Sequence, residues 1–357
     1  MRQGVSRRLV VAGALALSAC DRSAESAPAA PMGPVGKLKQ SAPFPLGVCA
    51  MVSHFKDPSW VELATTHFSQ ITPQWEMKME YIVQKDGSLR FDRPDEIAAF
   101  CAAHGMQLFG HTLIWYAQQP ASFAGISDPA AFARAYDGYI AAVAGHYRGK
   151  VVAWDVVNEP VAEEGDGYRE CLWSKRLGEV DYIRRAFDQA HAADPAARLF
   201  VNDYNLEHMP KKLDTFQRLI ERLLAAGTPL GGIGCQTHTW ATLERGDIRT
   251  AVKAIGRFGL PVHISELDVS IIRGKPERFS DANLREKQAR VFAEAVEAMG
   301  DLPAAQRFGV TTWGLRDKDS WLIEENAGDA PLLFDDQGQP KATASAFAEA
   351  LRHLPRA

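Results

Sequence analysis

Along most of the chain, short apolar runs alternate with longer segments of helical period. Runs of strand length lie at Pro45 to Met51, His67 to Thr72, Met106 to Thr112, Val151 to Asn158, Arg198 to Asn202, Gly232 to Gln236, Val262 to Glu266 and Phe308 to Trp313. Between them apolar positions recur at helical spacing, as in Asp95 to His104, Pro129 to Tyr147, Val180 to Ala193, Lys212 to Ala226, Ile248 to Phe258 and Asp281 to Met299. Most of these stretches open on Asp or Pro and stop at Gly, the usual start and stop signals of helices. Ala342 to Leu351 reads as a closing helix. Strand and helix alternating in this way predict an α/β fold, a (β/α)8 TIM barrel of parallel strands forming one catalytic domain, over an open doubly wound sheet. The first strand, Leu46-Gly47-Val48-Cys49, lacks the G-x-G-x-x-G spacing, which weighs against a nucleotide-binding open sheet.

Two of the runs end in a glutamate. Val151-Val152-Ala153-Trp154-Asp155-Val156-Val157-Asn158-Glu159-Pro160 is an apolar strand stopped by an amide, a carboxylate and a proline, and Pro261-Val262-His263-Ile264-Ser265-Glu266-Leu267-Asp268 has the same form. A single strand-end glutamate is more often an ordinary loop carboxylate. Here Asn158 and Pro160 flank Glu159 without any need from packing, and the carboxyl ends of barrel strands carry the chemistry. Two glutamates on different strand tips are what a glycosidase needs: one proton donor, and one nucleophile or base.

At this point the residues resemble a family. Trp154-Asp155-Val156-Val157-Asn158-Glu159-Pro160 and Ile264-Ser265-Glu266-Leu267-Asp268 are similar to the two signatures of glycoside hydrolase family ten, the retaining endo-β-1,4-xylanases with a (β/α)8 barrel. The resemblance implies Glu159 as acid/base, Glu266 as nucleophile, Asn158 beside the sugar 2-hydroxyl, and no metal or organic cofactor. Gly110-His111-Thr112-Leu113-Ile114-Trp115-Tyr116-Ala117-Gln118 resembles the motif G-H-T-L-V-W-H-S-Q, which implies His111 as a donor to the sugar and Trp115 as a wall beneath it. Asn202-Asp203-Tyr204-Asn205 resembles N-D-Y-N, with the Tyr204 hydroxyl expected on the nucleophile. Gln236-Thr237-His238 resembles Q-x-H, which implies that His238 bonds Glu266 and Asp268 holds His238. The eighth strand leads into a segment similar to W-G-x-x-D-x-x-S-W, whose Trp313 and Trp321 are expected as floor and roof for the sugar.

One stretch departs from the family. Thr72-Pro73-Gln74-Trp75-Glu76-Met77-Lys78 stands where the family commonly reads T-P-E-N-x-M-K. Lys78 is kept as a donor to sugar hydroxyls, but Gln74 and Trp75 replace a carboxylate and a small amide that grip the next sugar. An amide in place of a carboxylate weakens a charge-assisted hydrogen bond. Tyr116 stands in place of a second histidine. The chemistry is unaffected, and the expected substrate is xylan or xylo-oligosaccharide, with a short, decorated or aryl β-glycoside as the alternative. A non-catalytic sugar-binding lipoprotein is the reading from another class, against which the pair of glutamates argues.

The 357 residues suit one barrel of about 250 residues with loop insertions. A net charge of −4 indicates no polyanion-binding field, so nucleic acid is not expected as a partner. No partner subunit is called for, and a monomer is expected. Arg2, Arg7 and Arg8 precede an apolar run from Leu9 to Leu17 that is too short to span a bilayer, the pattern of an export signal. It ends Leu17-Ser18-Ala19-Cys20, which resembles a bacterial lipobox. Residues 1–19 are thus expected to be a lipoprotein-type signal peptide, with Cys20 lipidated and the protein held at a membrane of the cell envelope or periplasm. Residues 20–41, rich in Ala, Pro, Ser and Gly, read as a flexible tether, and 42–357 as the catalytic barrel. The remaining cysteines, Cys49, Cys101, Cys171 and Cys235, have no metal-ligand spacing and imply no particular bridge.

Overall fold

The computed structural model describes residues 35–274 and 279–355. The expected signal peptide, Cys20 and most of the tether lie outside these residues. The strands are β1 (Leu46–Ala50), β2 (Gln70–Pro73), β3 (Gln107–Trp115), β4 (Val151–Asn158), β5 (Arg198–Asp203), β6 (Gly232–Cys235), β7 (His238–Trp240), β8 (Val262–Ser270) and β9 (Arg307–Thr312). Neighbours run in the order β6-β5-β4-β3-β2-β1-β9-β8, all pairs are parallel, and β6 pairing with β8 closes the ring. β7 pairs with β8 beyond the point where β6 stops, so the nine strands occupy eight positions of a closed (β/α)8 barrel. Every residue of β1 and β8 is buried, as expected of strands covered by helices outside and by one another inside.

The sequence placed a strand at His67 to Thr72, yet His67 ends the helix Pro58–His67 and β2 begins at Gln70. The helix start is a local signal: the Asp57 carboxylate accepts from the N–H groups of Ser59 and Trp60, with Pro58 at the first position. β3 and β8 run on to Trp115 and Ser270, because β4 and β7 continue to pair with them. Glu266 and Asp268 therefore stand within a strand rather than after one. The tether boundary at residue 41 also shifts. Leu38–Ser41 is a short helix whose Leu38 is buried, and Val35 packs on the core, so these residues belong to the folded body. The four described cysteines are buried free thiols.

The lower half of the barrel is filled. Phe109 of β3, Ala153 of β4 and Phe200 of β5 cluster with Phe308 of β9, and His263 of β8 lies 4.7 Å from the Phe109 ring. Side chains from strands so far apart around the ring meet only inside it. His263 is held neutral by burial, which lowers it to about 3, and its Nε2 is hydrogen-bonded to Thr311 at 2.8 Å. This plug forms the floor beneath the strand ends.

Candidate active site

β4 delivers Glu159 directly after Asn158, with a φ of 59° that side chains other than glycine rarely adopt. Asn205 and Thr237, at the ends of β5 and β6, share that conformation (φ 59° and 63°). Such residues cost about 1–3 kcal/mol each and persist where surrounding contacts over-determine them. Three neutral groups fix the Glu159 carboxyl: Trp115 Nε1 donates to Oε2 at 2.9 Å, while Asn158 Nδ2 and Gln236 Nε2 donate to Oε1 at 2.9 and 3.0 Å.

Glu266 sits in different company. Asn202 Nδ2 donates to its Oε1 at 2.8 Å, and His238 Nε2 lies 3.3 Å from its Oε2. His238 Nδ1 is bonded to Asp268 Oδ2 at 2.9 Å, and Trp321 Nε1 donates to the same oxygen at 2.8 Å. The expected relay from Asp268 through His238 to Glu266 is in place. Burial opposes a charge on His238, but Asp268 and Glu266 outweigh it and raise the imidazole to about 10. Burial likewise pushes Glu266 up, and the electrostatic pull of His111, the bond and charge of His238, and Lys78 together bring it down to about 2. Glu266 is thus ionised at neutral pH.

Asn202 ties the two carboxyls together. The same Nδ2 that holds Glu266 donates to Asn158 Oδ1 at 2.9 Å, while its Oδ1 accepts from Ser265 Oγ at 2.7 Å. The chain makes room for it with Gly234, where an added Cβ would sit 2.3 Å from Asn202 Oδ1. Below, Asp203 accepts from the N–H groups of Val161 and Tyr204, both at 2.9 Å, and lies 3.1 Å from the fully buried Lys212 ammonium. This pair joins the loop after Glu159 to the loop after β5.

The two carboxylates share one cleft of about 360 Å³, lined among others by Gln74, Trp75, Lys78, His111, Trp115, Tyr116, Asn158, Tyr204, Gln236, His238, Trp313 and Trp321. His111 Nδ1 is bonded to Asp155 Oδ2 at 2.8 Å, leaving its Nε2 with no protein partner, and its ring meets Trp313 edge-on at 5.2 Å. Burial lifts Asp155 to about 6 against the pull of His111. The Lys78 ammonium lies 4.2 Å from the centre of Trp75 and 4.6 Å from that of Trp115. Burial lowers its pKa, with Glu266 and Glu159 pulling the other way. His111, Asp155 and Glu266 also offer ligand atoms within 4.8 Å of one another, close enough to hold a metal ion. The group is flanked by His238 and Lys78, which disfavours a further cation.

One expected contact is corrected. The Tyr204 hydroxyl donates to Glu163 and accepts from Arg169 Nη2 at 2.9 Å, and the group on the Glu266 carboxylate is Asn202. The reason is Arg169, which the sequence did not single out. Its Nε donates to the main-chain oxygen of Glu159 at 3.1 Å, and its guanidinium lies 3.9 Å from the centre of the Tyr116 ring. An aromatic face at position 116 suits that cation, whereas a charged imidazole would repel it. Glu163, Asn205 and Arg273 also line the cleft without a motif that marks them.

The profile of Glycosyl hydrolase family 10 matches residues 37–350. The chain belongs to this family. Among relatives of glycosyl hydrolase family 10, it is 37% identical over 319 residues to an endo-1,4-beta-xylanase A of Caldicellulosiruptor sp. (strain Rt8B.4), covering 84% of this chain and 45% of that protein. The chain thus spans less than half the length of that relative. It is 34% identical over 302 residues to an endo-1,4-beta-xylanase 2 of Claviceps purpurea, covering 84% of this chain and 86% of that one. A thermostable mutant of a Cellvibrio japonicus xylanase superposes with a TM-score of 0.81 at 32% identity, covering 88% of this chain and 99% of that one. A mutant xylanase of Thermoanaerobacterium saccharolyticum, solved with xylotetraose, gives 0.80 at 29% identity and covers 89% of this chain and all of its own.

Proposed function

We propose that the protein is a retaining glycoside hydrolase that cleaves β-1,4-xylosidic bonds in xylan or xylo-oligosaccharides, with Glu266 as nucleophile and Glu159 as acid/base. The observation that carries this reading is the pair of glutamates facing one aromatic cleft in opposite electrostatic settings, one locked as an anion and the other held by neutral donors. A sugar whose anomeric carbon faces Glu266 lies by Lys78, Trp313 and the unpartnered Nε2 of His111, with Asn158 at its 2-hydroxyl. The departing sugar lies beyond Glu159, towards Tyr116 and Tyr204. Glu266 attacks the anomeric carbon while Glu159 gives its proton to the leaving oxygen, which yields a glycosyl-enzyme. Glu159, now a carboxylate, takes a proton from water, and that water cleaves the ester with a second inversion. The named activities and bound xylotetraose of the relatives support xylose as the sugar.

Following a xylo-oligosaccharide digest by proton NMR tests the mechanism. The β-anomer of the new reducing end is expected first, followed by mutarotation. The α-anomer appearing first means inversion and removes Glu266 as nucleophile. Failure to shorten any xylo-oligosaccharide, with cleavage of another β-glycoside, removes xylose as the sugar.

Export and lipid attachment at Cys20 form part of the proposal and rest on the sequence pattern of residues 1–20. Labelling of expressing bacteria with a palmitate analogue is expected to mark the wild type and not Cys20→Ala, which is released to the soluble fraction. Equal labelling of both removes the anchor.

A further inference from the structure

The cleft ends differently beside Lys78 than beside Arg169. On the Arg169 side, polar groups of Glu163, Tyr204 and Asn205 continue the lining. On the Lys78 side, the segment after β2 offers the cleft no carboxylate. Glu76, the one carboxylate of that segment, is buried; its Oε1 accepts from the Val52 N–H at 2.9 Å and from Arg93 at 3.4 Å. Gln74 is buried too, with Oε1 turned to the Cys49 thiol at 4.0 Å. Beside Gln74, the face presented there is the Trp75 indole. It stacks on the Tyr81 ring with centroids 5.9 Å apart and planes 29° apart, and it lies against the Lys78 ammonium. Tyr81 itself is 45% exposed and marks the outer edge.

We propose that Trp75 closes the cleft one sugar beyond the scissile bond on the Glu266 side, so that the preferred substrates carry a single sugar there: short xylo-oligosaccharides cut from the non-reducing end, and aryl β-xylosides. This rests on the function proposed above. The Lys78 ammonium makes no hydrogen bond or ion pair with another described residue, and Trp75, Trp115 and Trp313 surround it at 4.2, 4.6 and 5.9 Å. Its N–H groups serve the sugar at the cleavage point. A second sugar on that side meets a ring already engaged by Lys78 and Tyr81, and finds no carboxylate for its hydroxyls. Binding that is not realised in the transition state adds nothing to kcat/KM.

The test compares kcat/KM for release of p-nitrophenol from p-nitrophenyl β-xyloside and from p-nitrophenyl β-xylobioside. The wild type is expected to favour the longer substrate by less than about tenfold, and Trp75→Ala to raise that ratio by about tenfold or more. A wild-type preference above about tenfold overturns the wall, and needs no variant to be seen. A Trp75→Ala ratio equal to that of the wild type overturns it as well, because a merely structural tryptophan lowers both rates together. Cleavage of other aryl glycosides with neither xyloside touched overturns the xylose reading and the wall with it, a pattern distinct from the first two.

Discussion

Glu266 and Glu159 are two residues of one type in one cleft, and their surroundings share almost nothing. Glu266 is held by an amide and an imidazolium, with Lys78 and His111 close by. Glu159 is held by an indole and two amides. The difference suits the work that the proposed mechanism asks of each. A nucleophile must be an anion every time a sugar arrives, so fixed positive charge around it costs the cycle nothing. An acid/base must hold a proton in one half of the cycle and release it in the other, so partners of fixed charge would favour one half at the expense of the other. Neutral donors orient such a carboxyl without deciding its protonation.

The sharpest way to break this comparison is to remove each carboxylate in turn. Glu266→Ala is expected to lower turnover of every substrate by about 10⁴-fold or more. Azide then restores part of it with an activated aryl glycoside, giving the α-glycosyl azide. Glu159→Ala is expected to lose about 10²–10⁴-fold on xylo-oligosaccharides and much less on a dinitrophenyl glycoside, whose leaving group needs no proton. Its azide product is the β-anomer. Azide products of the same anomer from both variants would dissolve the distinction.

A smaller change tests the charge around the nucleophile. His238 is cationic up to about pH 10, and it helps hold Glu266 at about 2. With His238→Ala that attraction is gone, so the Glu266 carboxyl rises and the acid limb of kcat/KM moves to higher pH, by about one unit or more. An acid limb unmoved from the wild type would show that His238 orients Glu266 without polarising it. The mildest test concerns Arg169, which reaches Glu159 through its main-chain oxygen and not its carboxyl. Arg169→Met is expected to cost about tenfold on xylo-oligosaccharides through misplacement of the acid and little on dinitrophenyl glycosides. Equal losses on both would assign Arg169 to stability alone.

Much of this arrangement is legible in the sequence. Glu159 and Glu266 end apolar runs whose composition marks them as buried strands, and the alternation of runs with helical segments gives the barrel. What is not legible depends on register between distant strands. Asn202 reaches Glu266 across 64 residues because β5 and β8 flank β6, and no local pattern reports that distance. Asn202 was visible within Asn202-Asp203-Tyr204-Asn205, yet the tyrosine there drew the expected contact. Arg169 lies in a loop without periodicity, and its importance comes from three partners set by three different strands: Glu159, Tyr204 and Tyr116. Trp75 was legible as a departure from the family; its stacking on Tyr81 was not.

The aromatic plug of Phe109, Phe200, His263 and Phe308 has one more effect. It seals the barrel three residues below Glu266 along β8, so the glycosyl-enzyme can be approached only from above, through the mouth that the first product has just left. Water and fresh oligosaccharide compete there for the same ester. Under the proposed mechanism, the balance between water and a sugar hydroxyl as acceptor is therefore set at that one mouth.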